Sequence, residues 1–410
     1  MNSKTDFKDA LVARAAADSP LSRSTIQVFS VGCALAVANV YFAQPLLNSM
    51  AHSLAVETGF VDIVVTASQL GYAIGLFFIV PLGDLINRKV LILTQLVLSA
   101  GALAIVGSAQ HWSVLLGATT LVGLLAVVVQ VVVVYAAALA TPSQRGQAVG
   151  AVTSGIVLGI LLARLVSGVI ADLAGWRAVY FVSAGLMLAL AAVLSKLIPA
   201  TSLPRHAGSY RALLASVFHL FKTEPVLRVR SVFALVIFAA FSVLWTSMVL
   251  PLSAPPLALS HTQIGLFGLA GIAGALAASR DGRWADRGLG QRTTGISLAL
   301  LAFSWLPMAF AETSLLALIL GVVIFDFAVQ AVHVTNQSLI FAARPDAQSR
   351  LVGAYMCFYS LGSALGAIAA TQVYALGGWQ AVCLLGASIS VAAWLFWLGS
   401  RNVEYSTPSL

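Results

Sequence analysis

The feature that most narrows what this chain can become is a long succession of apolar stretches, each close to the length of a bilayer crossing. They run over 26–50, 61–82, 90–109, 112–139, 147–171 and 177–198, and again over 230–252, 262–280, 293–311, 314–341, 351–374 and 380–399. The hydrocarbon layer takes about 20 residues of helix. It offers backbone N–H and C=O groups no partner, so each stretch must satisfy its own backbone as a helix. Barrel strands would instead alternate with a period of two. Composition closes off the soluble classes: 60% of the residues are hydrophobic and only 9% charged, against roughly 25% charged in an ordinary soluble domain. The expected fold is an all-α membrane protein with twelve transmembrane helices. Two six-helix bundles, 26–198 and 230–399, are joined by a polar loop at 199–229 and flanked by tails at 1–25 and 400–410.

The charges are few and orderly. With the N-terminus in the cytoplasm, all but two of the 22 Lys and Arg fall on the cytoplasmic side, the exceptions being Arg177 outside and Arg164 within a span. That asymmetry is the positive-inside rule, and it predicts that both termini are cytoplasmic. The net charge of +8 then reports topology and attraction to the inner leaflet. A nucleic-acid partner is not expected. Residues 1–25 are polar and lead into a full-length span, so no cleavable signal peptide is expected. Cys33, Cys357 and Cys383 all fall in apolar helices without ligand-like spacing and read as small buried side chains. A multi-pass protein of a bacterial inner membrane, acting as a monomer without metal or cofactor, is the expectation.

The two halves repeat. Pro142, Gly150, Ala151, Gly159, Gly175, Trp176, Ala178 and Val179 match Pro345, Gly353, Ala354, Gly362, Gly378, Trp379, Ala381 and Val382 at one constant offset. Parallel repeats of this kind belong to transporters that bind substrate between the halves at the midplane and expose it alternately to either side.

Two loops sharpen the reading. Gly83-Asp84-Leu85-Ile86-Asn87-Arg88-Lys89 follows the second span, and Gly282 to Arg292, with Asp286 and Arg287, follows the eighth. Both resemble the loop motif of the major facilitator superfamily. The first departs from it at Leu85, where Arg is usual, and at Asn87, where Gly is usual. In the fifth span Gly150, Gly159, Ala163, Arg164, Ser167 and Gly168 resemble the motif of the drug/proton antiporter branch, with Arg164 in the usual Pro position. The resemblance covers essentially the whole chain and implies the major facilitator fold. It assigns Asp84, Arg88, Asp286, Arg287 and Arg292 to a conformational latch, in which acids and arginines pair across helices in one state and part in the other. Arg88 and Arg292 serve equally well as positive-inside anchors.

Ionisable and amide groups inside spans are costly and mark pathways. Asp326, Gln330, His333 and Gln337 share one face of the tenth span. A carboxylate in an apolar cavity has its charged form disfavoured and is suited to carry a coupling proton; His333 is a candidate relay or a neutral hydrogen-bonding group. Asn39, Tyr41 and Gln44 stand before Pro45 in the first span, Gln130 is the repeat partner of His333, and Trp245 offers an aromatic face in the seventh. With Gln330 and Arg164 these form the expected substrate site. Interhelical hydrogen bonding is an equal reading for Asn39 and Gln130, and packing for Tyr41 and Trp245. Arg164 either binds an anionic group or holds the halves together. Leu318 is expected to face lipid. No Walker loop, nucleophile–base set or filter repeat argues for an ATPase, enzyme or channel. The leading expectation is proton-coupled efflux of small apolar or amphipathic compounds. The alternatives are proton-linked uptake of a small metabolite such as an organic acid or sugar, and a non-transporting receptor or scaffold.

Overall fold

In the computed structural model, the described residues are 22–56, 61, 63–140, 145–198, 209–278, 290–343 and 348–401. Asp286 and Arg287 lie outside them, as does the side chain of Asp84.

The helices of the first half are α1 (Arg23–Leu54), α2 (Ile63–Gly83), α3 (Arg88–Ser108), α4 (Trp112–Leu139), α5 (Arg145–Ala174) and α6 (Trp176–Leu197). Those of the second are α7 (Pro225–Ser253), α8 (His261–Ala278), α9 (Gly290–Met308), α10 (Leu315–Ala343), α11 (348–376) and α12 (379–400). Local chemistry explains several ends. Ser22 starts α1 by accepting from Thr25 N, and Asn87 starts α3 by accepting from Lys89 N. Pro225 opens α7 at a position where its missing N–H costs nothing. Within α1 the α-helix stops after Tyr41 and passes through a 3-10 turn at Gln44–Leu46, because Pro45 cannot donate.

The halves are built alike: α1 packs on α5, α2 on α4 and α3 on α6, and correspondingly α7 on α11, α8 on α10 and α9 on α12. The repeated glycines carry this symmetry. Gly159 and Gly362 lie against the α1 and α7 backbones so closely that an added Cβ would stand 2.4 Å from Ala34 O and 2.1 Å from Leu235 O. Gly175 and Gly378 turn the chain between paired helices at φ +82° and +62°, where a Cβ is strained. Each hands on to a buried tryptophan, Trp176 and Trp379. The two halves meet along α2–α11 and α5–α8.

Many large apolar side chains point away from the bundle, among them Leu173, Leu316, Leu376 and Leu384. Water tolerates few such surfaces, whereas lipid requires them. Leu318 is a correction: it is fully buried at 0% exposure, while Leu316 and Leu320 are exposed at 76% and 55%. α10 is apolar on nearly every face, so composition does not say which face meets lipid.

The polar stretch expected as a loop contains a helix, Tyr210–Thr223. It lies across the end of the bundle that bears the termini. There Tyr210 donates to Phe78 O of α2, Phe218 packs edge-on to Phe77, and Phe221 stacks on Phe358 of α11. α7 starts at Pro225, earlier than the expected 230. Arg230, one of the basic residues counted on the cytoplasmic side, is therefore inside a helix and fully buried.

Candidate functional site

Between the halves lies a cavity of about 300 Å³. It extends from mid-bundle toward the termini-bearing end, where Val80, Ala137, Val149 and Val352 line it. The opposite end is closed by contacts across the halves. Asn48 Nδ2 donates to Ser253 Oγ at 3.4 Å, and Ser49 Oγ lies 2.7 Å from His261 Nε2. Asp172 of α5 accepts from the backbone N–H groups of His261 (3.2 Å) and Thr262 (2.8 Å), and from His261 Nδ1 at 2.7 Å. An acid of one half thus caps the first turn of a helix in the other, where free N–H groups and the helix dipole favour a carboxylate.

The cavity wall is mostly Val, Ile, Met and Phe, with a band of neutral polar groups. Tyr41, Gln130, Gln330 and His333 are on it, as is Gln337. So are Gln69 and Tyr72 of α2 and Tyr359 of α11, uncharged residues in apolar spans that carry no pattern along the sequence. Gln130 Nε2 donates to Tyr72 OH at 3.3 Å. Among the described lining residues none is Asp, Glu, Lys or Arg.

A second set of residues lies behind this wall. Arg164 is 2% exposed and Asp326 2% exposed, and they come from opposite halves. Trp245 stands between them: its ring lies 3.8 Å under the Arg164 guanidinium, and its indole N–H donates to Asp326 Oδ1 at 3.4 Å. Arg164 Nε also donates to Gln44 Oε1 (2.9 Å) and Nη1 to Ile160 O (3.2 Å). Among the described residues, Arg164 Nη2 and Asp326 Oδ2 have no hydrogen-bond partner. Phe241 and Tyr41, both on the cavity wall, flank the guanidinium at 5.4 and 5.5 Å. The Tyr41 and Tyr359 hydroxyls hydrogen-bond to each other across the halves, so the blind end of the cavity is a bridge of two phenols.

The remaining expected site residues lie elsewhere. Asn39 is buried against α6, accepting from Ser183 at 2.5 Å, and is absent from the cavity wall. Gln44 and Trp245 serve Arg164 and Asp326, not the cavity. Of the latch, Arg88 donates from Nε to Gly83 O at 2.8 Å within its own turn, and Arg292 is exposed. Asp172 and Arg230 are charged residues with interhelical contacts that carried no signal in the sequence. Arg230 Nη1 reaches Thr294 and Asn336.

A bundle of paired six-helix halves with an apolar cavity on the dividing plane is the architecture of an alternating-access membrane transporter. The Major Facilitator Superfamily profile matches residues 29–280 and 232–409, and the chain belongs to that family, whose members found similar here are transporters and not enzymes. The chain is 45% identical over 377 residues to the putative uncharacterized transporter YgaY of Escherichia coli, covering 92% of this chain and 95% of that one. It is 25% identical over 411 residues to the multidrug resistance protein MdtG of Klebsiella pneumoniae, covering 96% and 95%. Among solved structures, it resembles in fold a bacterial homolog of the human lysosomal transporter Spinster, crystallised in an inward-facing and occupied conformation. The TM-score there is 0.77, with 14% identity, 94% of this chain covered and 98% of that.

Proposed function

We propose that this transporter exports small apolar or amphipathic compounds by proton-coupled antiport across a bacterial inner membrane, with both termini in the cytoplasm. It works as a monomer, and Asp326 carries the coupling proton. The observation that carries this reading is the placement of Asp326. A buried carboxylate, one oxygen of which has no hydrogen-bond partner among the described residues, faces the buried guanidinium of the opposite half across a single indole ring. Charged, it attracts Arg164 and favours the closed junction between the halves. Neutralised by a proton, it releases that attraction, and the equilibrium between the two openings shifts by the difference. Arg164 is the natural counter-charge in this scheme, and Gln44 and Trp245 hold it in place.

The neutral, largely apolar wall supports an amphipathic cargo. Uptake of an organic acid needs a cation in the cavity, and Arg164 is turned away from it behind Tyr41 and Phe241. The likeness to a protein named for multidrug resistance supports the same direction of transport.

Asp326→Asn in proteoliposomes is the test. It should abolish gradient-driven accumulation while downhill counterflow continues in the same preparation. Accumulation equal to that of the parent protein sinks the assignment of Asp326.

A further inference from the structure

A separate polar chain runs behind His333. Arg230 of α7 donates from Nη1 to Thr294 Oγ1 of α9 at 3.0 Å and to Asn336 Oδ1 of α10 at 3.2 Å. Asn336 Nδ2 donates to the Tyr355 hydroxyl of α11 at 3.3 Å, and that hydroxyl lies 2.9 Å from His333 Nδ1. Arg230, Thr294, Asn336 and Tyr355 are all at 0% exposure. Only His333 reaches the cavity.

The chain has a sense, and Arg230 sets it. A guanidinium donates and never accepts, so the Asn336 oxygen must face it and the amide nitrogen must face Tyr355. The Tyr355 oxygen accepts that bond. Among the described residues its own proton then has one acceptor, Nδ1 of His333. A neutral imidazole that accepts at Nδ1 carries its hydrogen on Nε2. We infer that Arg230, acting through Asn336 and Tyr355, holds His333 as the neutral Nε2–H tautomer, so that the cavity presents a fixed N–H donor to an uncharged substrate bearing a hydrogen-bond acceptor, such as a carbonyl, ether or phosphoryl oxygen.

The reverse sense is the competitor. Gln337 Nε2 lies 3.3 Å from His333 Nε2, which suits a ring that accepts there and donates at Nδ1. That arrangement strands the Tyr355 hydroxyl proton in the core without an acceptor, which costs more than a half-turn of the half-buried Gln337 amide. The turned amide rests its oxygen on the Nε2–H, and the substrate's acceptor takes that place. A doubly protonated ring strands the same proton and adds a cation beside the edge-on ring of Phe238, 5.2 Å away. Arg230 is thus a positioning residue, and His333 reads substrate while Asp326 holds the proton. The recognition half of this inference rests on the cavity being the substrate site; the tautomer half does not.

Nitrogen NMR of histidine-labelled protein reads the tautomer, with His333 identified among the six histidines by the signals lost in His333→Gln. The pyridine-type nitrogen should be Nδ1. Tyr355→Phe keeps the shape of the core and should give a mixture of tautomers, and Arg230→Met should do the same from three hydrogen bonds away. Binding of triphenylphosphine oxide, a neutral acceptor, is compared by equilibrium dialysis with that of tetraphenylphosphonium, which has no acceptor. His333→Phe should weaken the oxide roughly three- to tenfold and leave the phosphonium within about twofold. A pyridine-type Nε2 or a doubly protonated ring in the parent at neutral pH overturns the inference, as does equal loss of both probes in His333→Phe. If the tautomer is as stated and neither probe binds the parent, the positioning by Arg230 stands and the cavity's reading as substrate site falls.

Discussion

Asp326 and Arg164 belong to different halves, and Trp245 touches both. A buried cation over an indole face is stabilised by about 2 kcal/mol or more, so the ring is a partner in its own right. The stripe at 326, 330, 333 and 337 was legible as spacing, and three of its members do line the cavity. Asp326 does not; it lies deeper, beyond the phenol bridge of Tyr41 and Tyr359. Asn39 shows the opposite failure, since an amide two residues from Tyr41, and so near the opposite face of the helix, satisfies itself on Ser183 and leaves the cavity. Thiol labelling separates these cases. With the native cysteines replaced by serine, Gln130→Cys, Gln330→Cys and Gln337→Cys should react readily with a small hydrophilic thiol reagent, whereas Asn39→Cys and Leu318→Cys should stay protected. Equal protection throughout would count against the cavity.

Among the helices, the pair α5–α8 carries the most consequence. α5 supplies Arg164 to the buried junction and Asp172 to the closed end. α8 approaches so closely that a Cβ on Gly265 would stand 2.6 Å from Arg164 O. The cap that Asp172 places on α8 exists only while that end is shut, because its donor and acceptor sit on opposite halves. A helix cap contributes about 1 kcal/mol, which corresponds to roughly a fivefold shift between two conformations. Asp172→Ala should therefore raise the labelling rate of Asn48→Cys by an impermeant thiol reagent about fivefold at that face. An unchanged rate would show that the cap does not weigh on the opening.

For the whole molecule, alternating access requires the closed end to open in every cycle. Asn48 and Ser253, in contact across the halves, are well placed to test this. A protein without its native cysteines but with Asn48→Cys and Ser253→Cys should lose transport on oxidation and recover it fully on reduction, while binding from the termini-bearing side persists. Transport that survives complete cross-linking would exclude rocking about the dividing plane.

The sequence by itself determined the medium, the succession of membrane spans and the twofold repeat. Each of these is written in local composition, in spacing along one helix, or in residues that recur at one offset, as Gly175-Trp176 and Gly378-Trp379 do. It also marked Asp326 and Arg164, because any charge within an apolar span is conspicuous. Only the tertiary structure decided which faces are buried, that Arg230 lies inside the bundle, that Asp172 caps a helix in the other half, and that two phenols close the cavity. The reason is physical. Helices apolar on nearly every face have no preferred orientation of their own, so their neighbours choose it, and the bonds that define this site join residues far apart in the chain.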